Sequence, residues 1–359
     1  MIPEAGGTPF DDMRRLIAMM PGPDEAAAAA SSGPGIMAIN RRMSSNGVPP
    51  ASGIIGTPGA AGRKPRPRRV YRRHEGRGEA MSASERPERA DAAAALRALY
   101  TDLLKCLRFY SRLPVPAPAW ERDPYGPPDF ATMPRMLPVA GAIIGAVGAA
   151  VLVGAQMLGL GAFIAAALAV ASLTLVTGAF HEDGLADTAD GFGGGSTPER
   201  RLDIMKDSRI GSYGGAALVL AYALRVACLA ELLVRLGTLR AAAAVVLVAA
   251  LSRSAGLVLM TLLPPARMTG SSYAVGQPEP GAVALAFSLC AAFGLAAGLG
   301  SPLPFPGIVL AFLLAGGVAL AMTRLSKRLI GGQSGDVGGA IQQLAEIAAY
   351  LGLLIAARP

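Results

Sequence analysis

Residues 161–195 read GAFIAAALAVASLTLVTGAF and then, without a break, HEDGLADTADGFGGG. The first twenty carry no charged side chain and, as a helix, are long enough to cross a hydrocarbon core of about 30 Å. The next fifteen carry Asp183, Asp187 and Asp190. On a continuing helix Asp187 and Asp190 stand about 40° ahead of and about 20° behind Asp183, so the three carboxylates share one stripe. The pattern predicts a membrane span with chemistry at its water-facing end.

Further apolar runs follow the same rule. Spans are predicted at roughly 137–155, 161–180, 214–234, 241–263, 282–300, 306–323 and 339–357. The fold expected is therefore all-α: a polytopic membrane helix bundle of about seven transmembrane helices, occupying residues 96–359. Composition agrees, with 52% hydrophobic against 16% charged residues in a chain of 359 and a mean hydropathy of +0.43, far from a soluble average. Many runs are rich in Ala and Gly, which suits close helix packing in lipid.

Residues 1–95 differ. They are rich in Gly, Pro, Ala, Ser and Arg without apolar periodicity, and read as a disordered extension. Residues 1–80 hold 12 Lys/Arg against 7 Asp/Glu, so five of the eight excess positive charges lie there. The basic run from Arg63 to Arg73 reads as a solvated linker, and no nucleic-acid partner is called for. Met81 opens the stretch that leads into an amphipathic segment, Ala92–Tyr110, and offers an alternative start of translation. No cleavable signal peptide is visible near the beginning.

Lys and Arg in short loops set orientation. With the acidic loop 181–212 in the cytoplasm, Arg200, Arg201, Lys206, Arg209, Arg267, Arg324, Lys327 and Arg328 also fall inside, whereas Arg235 and Arg240 fall outside. This predicts a multi-pass protein of a bacterial inner membrane whose loops 181–212, 264–281 and 324–338 share the cytoplasmic face.

The chemistry follows from the residue types. Cys106, Cys228 and Cys290 are far apart, and His74 and His181 are the only imidazoles. No thiolate metal site is suggested, and a multi-histidine centre is ruled out. Three aligned carboxylates repel, and an Asp in mid-membrane costs about 2.5–3.5 kcal/mol, so the stripe needs cations. Hard oxygen donors point to Mg2+, with Mn2+ as the alternative, sharing its shell with substrate phosphates. Phosphoryl transfer at a pyrophosphate is the chemistry implied. Asp183, Asp187 and Asp190 are the candidate catalytic and metal residues, one doubling as base, with Asp207 and Asp336 completing the shell. Lys206, Arg209 and Arg267 are candidates to hold phosphate. Asp207 can instead orient Arg209. Gly193, Gly194, Gly195, Gly332 and Gly335 permit close backbone approach to a ligand. Arg225, Arg253 and Glu346 lie within apolar runs and face either a cavity or charged partners.

An ordered set of blocks carries a resemblance: Arg112 to Pro116, Pro138 with Gly141 and Gly145, His181 to Gly195, Lys206 to Gly211 and Gly332 to Gly339. From about residue 103 to its C-terminus the chain resembles the cobalamin synthase, or adenosylcobinamide-GDP ribazoletransferase, family. The resemblance implies a Mg2+-dependent membrane enzyme that joins α-ribazole, or α-ribazole 5′-phosphate, to adenosylcobinamide-GDP and releases GMP. It further implies attack by a ribose 5′-hydroxyl and leaves homo-oligomerisation open. Glu182 receives no role from it. CDP-alcohol phosphotransferases are the rival, but Asp187 stands where their signature carries Arg. An ion-coupled transporter would bury its acids in mid-helix rather than cluster them beside glycine loops and basic residues.

Overall fold

A computed structural model describes residues 85–121, 123–124, 126, 128–267, 276–300 and 303–357. The expected basic extension before residue 85 and the alternative start at Met81 lie outside the described residues. Ala92–Pro359 forms one compact unit.

The described chain is helical: α1 (Glu85–Tyr110), a 3-10 turn at Met133–Met136, α2 (Leu137–Met157), α3 (Gly161–Thr177), α4 (Phe180–Gly194), α5 (Pro198–Ile204), α6 (Ser212–Leu236), α7 (Thr238–Leu262), α8 (Pro280–Gly300), α9 (Phe305–Ile330) and α10 (Gly335–Ala356). Helix α1 begins ahead of the residue-95 boundary drawn from composition. The run Ala92–Ala95 favours helix more than the loop-like composition upstream suggests.

Six helices are long and apolar enough to cross a membrane, and α3 with α4 makes a seventh if that pair counts as one span. The two are bent by 89° at their junction, so the apolar run does not continue straight into the acidic stripe. Gly178 adopts φ 65° and Ala179 φ 58°. The left-handed conformation ends α3 at Gly178, the usual residue for such a cap. Arg112 sits against the bend, its backbone N–H donating to the Val176 carbonyl at 2.7 Å, and a Cβ on Gly178 would overlap its guanidinium.

Other boundaries moved outward. Helix α9 runs on to Ile330, so Arg324, Lys327 and Arg328 occupy its last turns, where cations favour the helix dipole. Gly335 opens α10 and is not part of a longer loop.

Helices α7 and α10 form the centre, each with 72% of its apolar window buried against 22% for α8. Small residues allow the close approach. A Cβ at Gly141 of α2 would lie 2.6 Å from the Ala249 carbonyl of α7, and one at Gly352 of α10 would lie 2.5 Å from the Ala311 nitrogen of α9. Leu175, Val219, Leu299 and Leu313 project from the outer helices as exposed apolar side chains, a surface suited to lipid.

Candidate active site

Helix α4 carries the acidic stripe and lies against the start of α10. Glycines on both sides set the approach: a Cβ on Gly184 would stand 2.8 Å from the Asp336 carbonyl, and one on Gly339 would stand 3.3 Å from the Cα of Gly184. This crossing places Asp183 and Asp336, distant in sequence, within electrostatic reach of one another and of Arg267. Asp187 follows one turn later on the same face as Asp183. Gly184 was not among the residues singled out by sequence. Its signal was a glycine inside an acidic helix, where Gly otherwise weakens the helix.

Asp190 has a definite structural duty. Its carboxylate accepts the Gly211 N–H at 2.7 Å and the Gly214 N–H at 2.9 Å. Helix α6 begins after Gly211 without a side-chain cap of its own; Asp190 satisfies those donors from another helix.

The basic loops converge on the same end. Arg267 Nη2 lies 3.5 Å from Asp203 of α5. Arg201 Nη1 donates to the Leu329 carbonyl at 3.1 Å. Segments 264–266 and 332–333 are stitched by paired bonds, Gln333 N–H to the Pro264 carbonyl at 2.8 Å and Ala266 N–H to the Gln333 carbonyl at 2.9 Å. Gly332 is pinned by this contact, since a Cβ there would lie 2.5 Å from the Pro264 carbonyl, and its own carbonyl accepts from Ser326 Oγ at 2.6 Å. Buried Gln333, which sequence reasoning passed over, leaves its side-chain NH2 without a partner.

Asp207 and Arg209 form a forked pair on the exposed loop before α6: Arg209 Nη2 donates to Asp207 Oδ2 at 2.6 Å and Nε to Oδ1 at 3.0 Å. Hydrogen bonds from Arg209 hold the Asp207 carboxyl down to about 2. The fork sets the Arg209 guanidinium against the Asp207 carboxylate. Lys206 is exposed nearby.

The glycine run is less uniform than its sequence. Gly193 makes room for the Tyr213 ring, 2.8 Å from its notional Cβ, and Gly195 for the Arg201 backbone, also 2.8 Å away, whereas nothing crowds Gly335. Gly194 is exposed. His181 is buried and stacks on Tyr110, ring centroids 5.8 Å apart, turned into an aromatic cluster with Phe109 and Phe180.

Beneath the crossing lies a buried polar network. Arg225 of α6 donates from Nη1 to Glu182 Oε1 and from Nε to Glu346 Oε1, both at 2.9 Å. Gln343 Oε1 accepts from Arg225 at 3.2 Å, and Gln342 bridges Glu346 at 2.9 Å and Ser252 at 3.1 Å. Arg225 and Glu346 thus find charged partners, and Glu182 acquires one of its own. Burying such a set is costly unless the geometry is good, and removing one member leaves a charge stranded at about 3–5 kcal/mol.

Among the described residues no three His, Cys, Asp or Glu side chains converge as a preformed metal shell. Mg2+ requires less, typically one or two carboxylates with waters and substrate phosphates. Asp183 and Asp336 offer hard oxygens of that kind at the α4–α10 crossing, with Asp187 one turn further along α4.

Fold and site together define a polytopic, all-helical membrane protein whose acidic and basic groups gather at one end of the bundle. Comparison with known proteins gives the family. A model of cobalamin-5-phosphate synthase matches residues 102–354, and the chain belongs to that family. Similar proteins, each named adenosylcobinamide-GDP ribazoletransferase, occur in Azorhizobium caulinodans, 55% identical over 73% of this chain and 98% of the relative, and in Xanthobacter autotrophicus, 52% identical over 71% and 96%. Another from Brucella anthropi is 42% identical over 72% and 98%. No solved structure matches.

Proposed function

We propose that the protein transfers α-ribazole, or its 5′-phosphate, to adenosylcobinamide-GDP, forming adenosylcobalamin or its 5′-phosphate and releasing GMP. The observation that carries this reading is the crossing of α4 and α10, where acids from two parts of the chain meet beside Arg267 and the glycine loop, in a chain of this family.

A ribose hydroxyl attacks the phosphorus next to cobinamide. A new P–O bond forms, the phosphoanhydride bond breaks, and GMP departs with the electron pair. The phosphorylated product keeps its 5′-phosphate, so a common linkage in the two products requires attack by a ribose hydroxyl other than the 5′, in place of the 5′-hydroxyl attack expected from sequence. A carboxylate of the stripe takes the hydroxyl proton. Lys206 and Arg209 hold the pyrophosphate, Arg209 being steadied by Asp207. One or two of Asp183, Asp187 and Asp336 would hold Mg2+, with substrate phosphates completing the shell, and the ion when bound would neutralise charge on the attacking and leaving oxygens.

The site faces the cytoplasm of a bacterial inner membrane, a reading supported by the Lys/Arg-rich loops gathered at its end. The test uses purified protein in nanodiscs with adenosylcobinamide-GDP and either acceptor, with and without Mg2+. GMP release that requires both acceptor and Mg2+ is expected. No GMP from either acceptor would overturn the assignment.

A further inference from the structure

We propose that Arg225 is a positioning residue that sets α4 against α10 and so fixes the separation of Asp183 and Asp336, an inference that rests on those acids forming the site.

Glu182 is the immediate neighbour of Asp183. Glu346 shares α10 with Asp336, ten residues further on, or about 15 Å along the helix. Arg225 touches both glutamates at 2.9 Å through different nitrogens, so one guanidinium from α6 ties together the two helices that carry the acids. Its fork suits the task, since a lysine ammonium presents a single point of charge.

The attachment is over-determined. Glu182 Oε1 also accepts from Thr174 Oγ1 at 3.2 Å, which in turn accepts from the Tyr222 hydroxyl at 3.3 Å. Gln343 donates to Gln342 Oε1 at 2.9 Å, closing the network on the α10 side. Without Arg225, the two buried carboxylates would be left with the charge of Arg253, whose Nη1 donates to the Ala249 carbonyl, across the interface where Gly184 and Gly339 bring the backbones together. Glu182 Oε2 accepts no hydrogen bond, so that carboxylate is held through Oε1, by Arg225 and Thr174.

A purely structural ion pair is the rival. Replacing a buried charged set by apolar residues commonly preserves or raises stability, so a triple variant, Arg225→Met with Glu182→Leu and Glu346→Leu, separates folding from positioning. Arg225→Met, Arg225→Lys and the triple variant are compared in nanodiscs by thermal unfolding, by hydrogen exchange of residues 180–194, and by kcat and KM for adenosylcobinamide-GDP. Exchange in α4 should quicken in Arg225→Met. Its kcat should fall about tenfold to a hundredfold, the scale of small misplacements, with KM nearly unchanged. Arg225→Lys should recover part of kcat, and the triple variant should regain thermal stability without regaining kcat.

Wild-type kcat in a folded Arg225→Met protein, or in the triple variant, would overturn the proposal. If the wild-type protein releases no GMP, the functional reading fails by itself. Hydrogen exchange then still tests the brace, and unchanged α4 exchange in folded Arg225→Met, or in the triple variant should Arg225→Met not fold, overturns it.

Discussion

The carboxylate of Asp190 accepts the backbone N–H of Gly214 at 2.9 Å, reaching from the acidic helix to the first turn of α6. Asp187→Asn should lower turnover sharply. Asp190→Asn should lower turnover and the unfolding temperature together, losing about 1–3 kcal/mol because an amide presents only one acceptor oxygen to two donors. Thermal unfolding and GMP release measured on the same preparations check both. An Asp190→Asn protein as stable as wild type would remove the capping role.

The α4–α10 crossing leaves no room for a methyl group. Gly184→Ala would bring a side chain to within 2.8 Å of the Asp336 carbonyl. A cost of about 1–3 kcal/mol is expected, with loss of turnover as the helices separate. Gly338→Ala meets nothing within 4 Å and should stabilise the helix by about 0.5–1 kcal/mol. Denaturation of the pair of variants tests whether the glycines act by spacing.

The bend at residues 178–179 carries strain. Ala179 holds φ 58°, a conformation that costs a residue with a Cβ about 1–2 kcal/mol. Ala179→Gly should therefore raise the unfolding temperature, and Gly178→Val should lower it by straining the turn and crowding Arg112. Differential scanning fluorimetry in nanodiscs is sufficient to read both.

Asp207 should not shape the pH profile of the reaction. Its carboxyl is depressed to about 2 by hydrogen bonds from Arg209. A depressed acid keeps its ion pair above the ordinary carboxylate value of about 3.9 and loses it only as pH falls toward the lower value. From about pH 5 upward the pair does not titrate. The acidic limb of the rate profile should keep its midpoint in Asp207→Asn, whatever happens to its height. A displaced midpoint would implicate Asp207 in proton transfer.

Hydropathy made the spans legible because each must satisfy its backbone internally across the same thickness of lipid. The right-angle turn after Thr177 was not legible. Apolar periodicity is blind to a single left-handed alanine, and the only local sign was Gly178. Gathering of the 200s, 264–267 and 331–335 segments at one end followed from counting spans. The partners of individual residues did not follow, since they depend on side chains meeting across helices. Arg225 and Glu346 stood out as charges in apolar runs, yet Glu182, which completes their set, looked like one more acid beside the stripe. Gly193 looked like a ligand-facing glycine and makes room for Tyr213 because α6 starts there.

A helix that ended at the membrane surface would offer only its tip, about 10 Å across. By turning through 89°, the fifteen residues of α4 lie crosswise and offer a flank of about 22 Å. The proposed donor is a long molecule, a corrinoid at one end and a guanosine at the other with the reacting phosphates between. A bench of that length would suit the proposed donor from end to end, and it is the bend at Gly178 and Ala179 that turns it crosswise.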